Sequence, residues 1–350
     1  MGRVTPAPLL LIVGPPAHGV TRYGADVADA LVAGDPEVAV LAAPTLAALT
    51  DRVHGRRAHL HVTDRLLGDS PEQAADAVGA LAARTRLTIT VHDVPQPSDG
   101  RMFARRRAAY ARFAAAAERV VVNSAHEQAL WREWVGDDDV DAIPLGARRD
   151  AVPTGTEGLE ADAATPADGD LTVIVAGYVY PGKGHVAAID AVRDAAAALR
   201  DRGERVGSLV VRAIGAPSRG HEDEAEQLRR HARGQGVDLQ ITGFLDDGAF
   251  AAELAGGGIP LAAHEHVSAS RSMLDWVEAG RRPLVVSSRY AQEMDRLRPG
   301  TLALYEPDDL AVHLAAAWSE PARTRLAAGT DLRPSVADVA REYRRWWDLA

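Results

Sequence analysis

A glycine-rich loop with a lysine lies in the middle of the chain. The loop, Gly177–His185, follows the apolar run Leu171–Ala176 and precedes the alanine-rich segment Val186–Leu199, which is the order strand, loop, helix. Free N–H groups at the start of a helix favour an anion, and the ammonium of Lys183 adds a full positive charge. The pattern predicts a phosphate site, although it lacks the spacing of a P-loop. The alternative is that the glycines only shape a turn and that Lys183 is solvated.

A serine-rich segment opens another predicted helix in the same half of the chain. Ser268, Ala269, Ser270 and Arg271 precede a helical stretch that ends at Gly280. Serine is a good helix cap, so we expect the N–H groups of the first turn, the hydroxyls and the guanidinium to face an oxyanion. The alternative is an ordinary capped helix.

Two histidines precede this segment with the spacing of neighbours on one strand face. His264 and His266 alternate as metal ligands do. No third ligand is evident, and a protein zinc site uses three or four ligands. The sequence therefore predicts no metal.

Polar residues also end two strands in the first half of the chain. His92 and Asp93 follow the predicted strand Leu87–Val91, while His61 and Asp64 lie at the end of the strand before it. A histidine directly after a buried strand is expected at the mouth of a cleft, so we predict a functional role for His92 over a structural hydrogen bond. For Asp64 a functional role and a purely structural role both stay open.

Composition excludes several classes of protein. The chain has 350 residues, a formal net charge of −10 and no cysteine, so disulfides, thiol nucleophiles, iron–sulfur clusters and cysteine-based zinc sites are ruled out. The acidic balance argues against nucleic-acid binding. The early apolar run Leu9–Val13 is too short to span a bilayer and is not followed by a cleavage site. We therefore expect a cytoplasmic protein.

Strands alternate with helices along the whole chain, and each half opens with strand, glycine loop and helix. This alternation predicts an α/β protein with two Rossmann-like, doubly wound parallel sheets facing each other across a cleft. We predict one domain over residues 1–150 and a second domain over residues 171–334. Residues 151–170 have no periodicity and read as a linker.

The last residues, 335–350, predict a closing helix. Val336, Val339, Tyr343, Trp346 and Trp347 recur at helical spacing. We expect these side chains to dock on a domain surface, and the helix to be able to cross back to the first domain. The alternative is an aromatic stripe that faces a membrane.

Taken in order, these motifs resemble the GT-B glycosyltransferases, specifically the large retaining family 4. The resemblance runs over nearly the whole chain and implies that residues 1–150 form the acceptor-binding domain and residues 171–334 the nucleotide-sugar-binding domain. It is carried by Gly14–Tyr23, His92, Val121–Ser124, Ile143–Gly146, Gly177–Gly184, Ile241–Leu245, Asp275–Gly280 and Pro283–Val285.

The resemblance implies a role for several residues. Lys183 would bind the donor diphosphate, and Gly19 would let the first loop approach it. His92 would lie against the transferred sugar, and Asp275 takes the place of a glutamate that holds the ribose. The nucleobase would meet the backbone around Thr242, Gly243, Phe244 and Leu245.

Two positions depart from the family pattern. Tyr178 stands where the family usually has arginine, and Val267 stands at the first glutamate of the Glu-x7-Glu motif. We infer that Arg271 restores the missing positive charge. The departures imply an unusual donor or a loss of catalysis.

The resemblance thus implies a hexosyltransferase that moves a sugar, with retention, from a nucleotide diphosphate donor to a small-molecule, glycan or lipid-linked acceptor. No metal and no cofactor are expected, and His61, Asp64 and Asp93 are candidates for the acceptor side. The alternatives are a catalytically impaired GT-B-like nucleotide-sugar-binding protein and a nucleotide-sugar epimerase.

An arginine-rich segment follows these acidic residues. Arg101, Arg105, Arg106 and Arg107 are interleaved with apolar and aromatic residues. Family members often use this region for acceptors or anionic lipid surfaces, so peripheral membrane contact is one interpretation. We favour a solvated helix face.

Overall fold

The computed structural model describes residues 6–136, 140–154, 169–218, 220–264 and 266–348. The chain divides into two compact units, one of Met1–Arg148 with Arg333–Ala350 and one of Arg149–Leu332. Most of the predicted linker 151–170 lies outside the described residues.

The first unit is built on a six-stranded parallel sheet. Its strands are paired in the order β2-β1-β3-β4-β5-β6. They are β1 (Leu9–Val13), β2 (Val40–Ala43), β3 (Arg57–Val62), β4 (Arg86–Val91), β5 (Arg119–Val122) and β6 (Asp141–Ala142). The helices in this stretch are α1 (Gly19–Gly34), α2 (Ala47–Thr50), α3 (Asp64–Leu67), α4 (Pro71–Ala82), α5 (Phe103–Ala116) and α6 (Ala125–Trp134), with a 3₁₀ turn at Pro97–Met102.

The second unit repeats this design with a second six-stranded parallel sheet, in the order β12-β11-β10-β7-β8-β9. The strands are β7 (Leu171–Ala176), β8 (Leu209–Ile214), β9 (Asp238–Ile241), β10 (Ile259–Ala262), β11 (Leu284–Val286) and β12 (Ala303–Tyr305). The helices are α7 (His185–Asp201), α8 (Glu222–Gly234), α9 (Asp247–Ala255), α10 (Arg271–Glu278), α11 (Arg289–Leu297) and α12 (Leu310–Ser319), with 3₁₀ turns at Pro307–Asp309 and Pro321–Thr324.

A last helix, α13 (Val336–Asp348), packs on the sheet of the first unit. The hydroxyl of Tyr343 lies 2.8 Å from that of Thr90 on β4. The Trp346 indole donates to Asp141 at 2.6 Å, and the Trp347 ring lies edge-on to His59 of β3. The aromatic face of α13 is therefore buried against the strands.

Continuous apolar runs explain why both sheets are parallel and covered on both faces. In β1 and β7 nearly every side chain is buried, whichever face it points to. The predicted α/β class with parallel sheets is confirmed. The edge strands β2 and β12 were not predicted, because they are short, with four and three residues.

The order of each sheet reverses at one point. The chain turns from β1 to β2 on one side and returns to β3 on the other, and in the second sheet it does so around β7 and β10. In open α/β sheets, ligands bind beyond the carboxyl ends of the strands at this reversal. The fold therefore directs attention to the loops after β1, β3, β7 and β10.

A buried arginine holds the segment that leads into β10. Arg281 is 1% exposed, and its guanidinium donates to the carbonyls of Leu254, Gly256 and Gly258. We expect Arg281→Ala to lower the free energy of unfolding by roughly 3 kcal/mol, because several buried carbonyls lose a charged donor. Urea titrations measure this, with Arg282→Ala as control.

Arg282 is the matched control because it is adjacent and partly exposed, and its Nε donates to the single carbonyl of Leu302 at 3.2 Å. We expect its loss to cost about 1 kcal/mol. Equal effects of the two substitutions would contradict the role given to Arg281.

Candidate functional site

Lys183 is the only lysine in the sequence. It lies between β7 and α7, at the reversal point of the second sheet, and is 5% exposed. Its Nζ donates to Nε2 of His264 at 2.7 Å, and lies 3.4 Å from Oγ of Ser272. His264 follows β10, so residues after both reversal strands meet at this ammonium.

The charge of Lys183 is poorly compensated. Among the described residues, its hydrogen-bond partners are an imidazole and a hydroxyl, and no carboxylate bonds it directly. Burial lowers the pKa of Lys183 to about 8, although the nearby charge of Asp275 acts to raise it. An anion that binds beside a buried cation without a bonded counter-ion gains more electrostatic free energy than it would beside an ion pair.

Two glycines make this arrangement possible. Gly184 has φ +95, and a Cβ there would lie 2.2 Å from the carbonyl oxygen of Ala263. Gly177 has φ +102, and its Cβ would lie 3.2 Å from Nζ of Lys183. Only glycine adopts this backbone and permits this approach, so the loop can fold tightly over the end of β10.

A second histidine lies beside the lysine. His185 is 3% exposed, and within the described ranges neither ring nitrogen has a hydrogen-bond partner. Burial lowers the pKa of His185 to about 4, and burial also holds the pKa of His264 well below its ordinary value. The sequence pattern did not point to His185, although its place directly after Gly184 at a helix start was a usable signal.

The guanidinium of Arg271 is engaged within its own helix. Its Nε donates to Asp275 at 3.0 Å and its Nη2 to Glu278 at 2.5 Å. Ser270 occupies the N-cap position of α10, as predicted, but its hydroxyl makes no capping hydrogen bond and instead lies 3.1 Å from that of Ser272. Two neighbouring hydroxyls satisfy each other at this position.

The segment predicted to meet the nucleobase follows β9. The Thr242 hydroxyl accepts from the Gly215 N–H at 3.1 Å, which ties this loop to the end of β8. Phe244 is 68% exposed, whereas Leu245 packs against a small apolar cluster. Gly243 has φ +76, and this turn presents the Phe244 ring to solvent.

In the first unit the structure brings His61 and His92 together. His61 Nδ1 lies 3.0 Å from His92 Nε2, and the two residues are 6% and 7% exposed. Burial lowers the pKa of His61 to about 3 and holds those of His92 and His59 well below their ordinary value. These imidazoles are therefore neutral at physiological pH.

Arg101, Arg105 and Arg107 are exposed, as a solvated helix face predicts, but Arg106 turns inward. Arg106 is 3% exposed and binds the carboxylates of Asp64, Asp93 and Asp99. Asp64 is 3% exposed, so it lies behind the surface rather than on it. The exposed Arg105 pairs with Glu72 of α4, which reduces the positive surface available to anionic lipid.

Gly19 is the first residue of α1, and the space around its Cα is open. Before it, the His18 ring caps the helix, because its Nδ1 accepts from the N–H of Val20 at 3.3 Å. This loop follows β1, at the reversal point of the first sheet.

In the described ranges no three His, Asp or Glu side chains are grouped to hold a metal ion. Within the same ranges, every helix is too short or too polar to span a bilayer.

Sequence comparisons give no match, either to a known protein family or to a curated protein. Solved structures do resemble the chain. HepE from Anabaena, in complex with UDP and glucose, has a TM-score of 0.72 at 15% identity and covers 98% of this chain and 100% of that one. Sucrose-phosphate synthase from Thermosynechococcus elongatus has a TM-score of 0.64 at 14% identity, with coverages of 97% and 94%.

WaaG, a glycosyltransferase involved in lipopolysaccharide biosynthesis, has a TM-score of 0.58 at 14% identity, with coverages of 96% and 94%. At these identities the likeness shows the fold. The chain has the two Rossmann-like units of the GT-B fold, which confirms the predicted fold class.

Proposed function

We propose that the protein is a glycosyltransferase that moves a sugar from a nucleotide diphosphate donor to an acceptor. The observation that carries the proposal is the sole lysine, buried at the reversal point of the second sheet and bonded to an imidazole instead of a carboxylate. A diphosphate supplies a counter-ion to this ammonium, to which no carboxylate among the described residues is bonded. The GT-B fold supports the same reading.

In this proposal Lys183 stabilises the leaving group. Breaking the anomeric C–O bond builds negative charge on the diphosphate, and a preorganised cation at that point lowers the barrier. The N–H groups at the start of α7 contribute in the same direction. The ammonium of Lys183 is already desolvated, so its surroundings need little reorganisation as the bond breaks. This favours Lys183 as the residue that stabilises the leaving diphosphate.

We assign the nucleoside to the loop after β9 and to Asp275. The exposed Phe244 ring offers an apolar surface beside backbone groups that can pair with a base. One Asp275 oxygen is bonded to Arg271, and an aspartate held in this way is suited to accept from ribose hydroxyls. Since HepE was solved with UDP and glucose, UDP-glucose is the first donor to test.

His92 is assigned to the transferred sugar, and His61 and Asp93 to the acceptor side. A neutral imidazole can donate to or accept from a hydroxyl, so His92 would orient the sugar without acting as a nucleophile. Retention of configuration, membership of family 4 and independence from metal belong to the same proposal. The acceptor is a small molecule, a glycan or a lipid-linked sugar.

Calorimetry with a panel of nucleoside diphosphates tests the donor site. We expect UDP to bind, and nucleoside monophosphates to bind at least about tenfold more weakly, because they lack the charge that Lys183 neutralises. The magnesium chelator EDTA should leave binding unchanged. Equal binding of uridine and UDP would contradict the phosphate assignment.

Product analysis tests the reaction. Incubation with UDP-glucose and a broad set of acceptors, followed by NMR of the anomeric proton, is expected to show an axial product from an axial donor. Binding of UDP without any transfer or hydrolysis would instead support the catalytically impaired binding protein, for which Tyr178 and Val267 are the sequence features. Formation of an isomeric sugar nucleotide without acceptor would support the epimerase.

A further inference from the structure

The guanidinium of Arg106 organises a buried cluster in the first unit. The Arg106 cluster consists of Arg106 and Tyr110 on α5 and of Asp64, Asp93 and Asp99. Nη1 of Arg106 donates to Asp99 at 2.7 Å, Nη2 donates to the Asp93 carboxylate at 2.8 Å, and Nε lies 3.3 Å from both oxygens of Asp64. One side chain thus connects three separate segments of the chain.

The Arg106 cluster also forms hydrogen bonds with the backbone of the turn after β4. Nη2 of Arg106 also donates to the carbonyl oxygen of Asp93 at 2.8 Å. The Tyr110 hydroxyl lies 3.1 Å from the carbonyl oxygen of His92. Both consecutive carbonyls of the His92–Asp93 turn are therefore bound by neighbouring side chains of a single helix.

The turn needs such support because its backbone is strained. Asp93 has φ +59, and it is the only described residue other than glycine with a positive φ. This conformation costs roughly 1 kcal/mol or more for a residue with a Cβ, and it persists where surrounding contacts impose it. It follows directly after His92, so the direction of the chain at His92 depends on it.

The ring of His92 is held separately from its backbone. His61 on β3 bonds Nε2 of His92 at 3.0 Å, and the Tyr23 ring packs edge-on to the imidazole, with centroids 5.9 Å apart. Arg106 therefore acts on the backbone, whereas His61 and Tyr23 act on the ring.

Stability alone does not account for the cluster. Burying a guanidinium with carboxylates carries a desolvation penalty that often cancels the attraction, so a buried ion cluster is weak support for stability. Burial raises the pKa of Asp99 even though Arg106 lies beside it. A planar guanidinium that makes several hydrogen bonds is suited to fixing the positions of the segments that it joins.

We propose that Arg106 is a positioning residue, which holds the His92–Asp93 turn in its left-handed conformation and so aims the imidazole of His92 at the sugar. The idea rests on the proposed function, because that function gives His92 its target. It predicts that the several N–H donors of the guanidinium are required to hold the turn, and that a lysine, which supplies only a positive charge, does not hold it.

The test uses Arg106→Lys and Tyr110→Phe, with Arg112→Lys as the matched control. Arg112 is on the same helix and also pairs with a carboxylate, Asp76, but at the surface. Two readouts are taken on the full chain: kcat and KM with UDP-glucose, and the NMR signals of histidines labelled with ¹³C at the ring Cε1. His92 is assigned from the signal that disappears in His92→Gln.

We expect Arg106→Lys to lower kcat by roughly 10- to 100-fold, because a small misplacement of a reacting group is costly. The KM for the donor should stay within about twofold, because the residues assigned to the diphosphate belong to the other unit. The His92 signal should move in Arg106→Lys and Tyr110→Phe and stay in place in Arg112→Lys.

An unchanged His92 signal in both cluster variants overturns the proposal, even if their melting temperature falls, because the role would then be structural only. An unchanged kcat in Arg106→Lys overturns it as well. If the wild type binds UDP but turns over no donor, the proposed function fails, and the NMR comparison alone then decides whether Arg106 positions His92.

Discussion

Replacing Lys183 with methionine is expected to weaken UDP binding by about 10- to 100-fold while leaving the folded protein at least as stable as the wild type. Binding falls because the diphosphate loses its buried cation. Stability does not fall, because an ammonium that is 5% exposed, and that no carboxylate of the described residues bonds, gives up solvation that methionine does not require. Turnover should drop by roughly 10²–10³-fold.

Calorimetry with UDP and urea unfolding of the same samples measure both effects. Arg202→Met is the control, since it removes a positive charge from the exposed end of the same helix. Wild-type affinity in Lys183→Met would refute the assignment. A large loss of stability would indicate that the lysine has a structural role in the empty protein.

The sole lysine also permits a direct measurement of its charge. Labelling lysine with ¹³C at Cε gives one side-chain resonance, which should titrate near the pKa of about 8. Bound diphosphate stabilises the ammonium and should raise this pKa. Since the charged form binds the anion, UDP affinity should fall as the pH rises through 8 in the free protein.

Acidification to about pH 5 is expected to destabilise the first unit by up to about 6 kcal/mol. His59, His61 and His92 are buried with pKa values lowered from 6.5 in the folded state. Below pH 6.5 the unfolded chain therefore binds protons that the folded chain does not. Each such histidine lowers the free energy of unfolding by about 1.4 kcal/mol per pH unit.

With three such histidines, the expected loss of unfolding free energy is comparable with the total stability of a domain, which is about 5–15 kcal/mol. Urea titrations between about pH 7.5 and 5 give the number of protons taken up on unfolding. His59→Gln should reduce that number by about one. A flat dependence across this range would show that the imidazoles already bind protons in the folded state.

Much of the fold was readable from the sequence because buried parallel strands are continuous apolar runs. β1 and β7 follow this rule and were predicted correctly. β2 and β12 lie at sheet edges and were missed, although they too lie in apolar runs, Val38–Ala43 and Leu302–Tyr305. These strands have only four and three residues, and a short apolar run does not by itself distinguish a strand from a helix.

The candidate site was only partly readable, for a related reason. The glycine spacing around Lys183 is a local pattern, so the sequence carries it directly. The burial of Arg106 is not local: it depends on Asp64 and Asp93 arriving from two other loops. The run Arg105–Arg107 gave no sign of which arginine turns inward, and the partnership of His61 with His92 likewise depends on strand pairing.

The placement of α13 has a consequence for biosynthesis. The first unit takes its final helix from the end of the chain, whereas the second unit is continuous in sequence. During translation, all of residues 149–332 are synthesised between the sheet of the first unit and the helix that covers it. The N-terminal half must then wait, with Thr90, His59 and their neighbours uncovered, until the tryptophans of α13 emerge, so a nascent chain of this protein should engage chaperones through its first half.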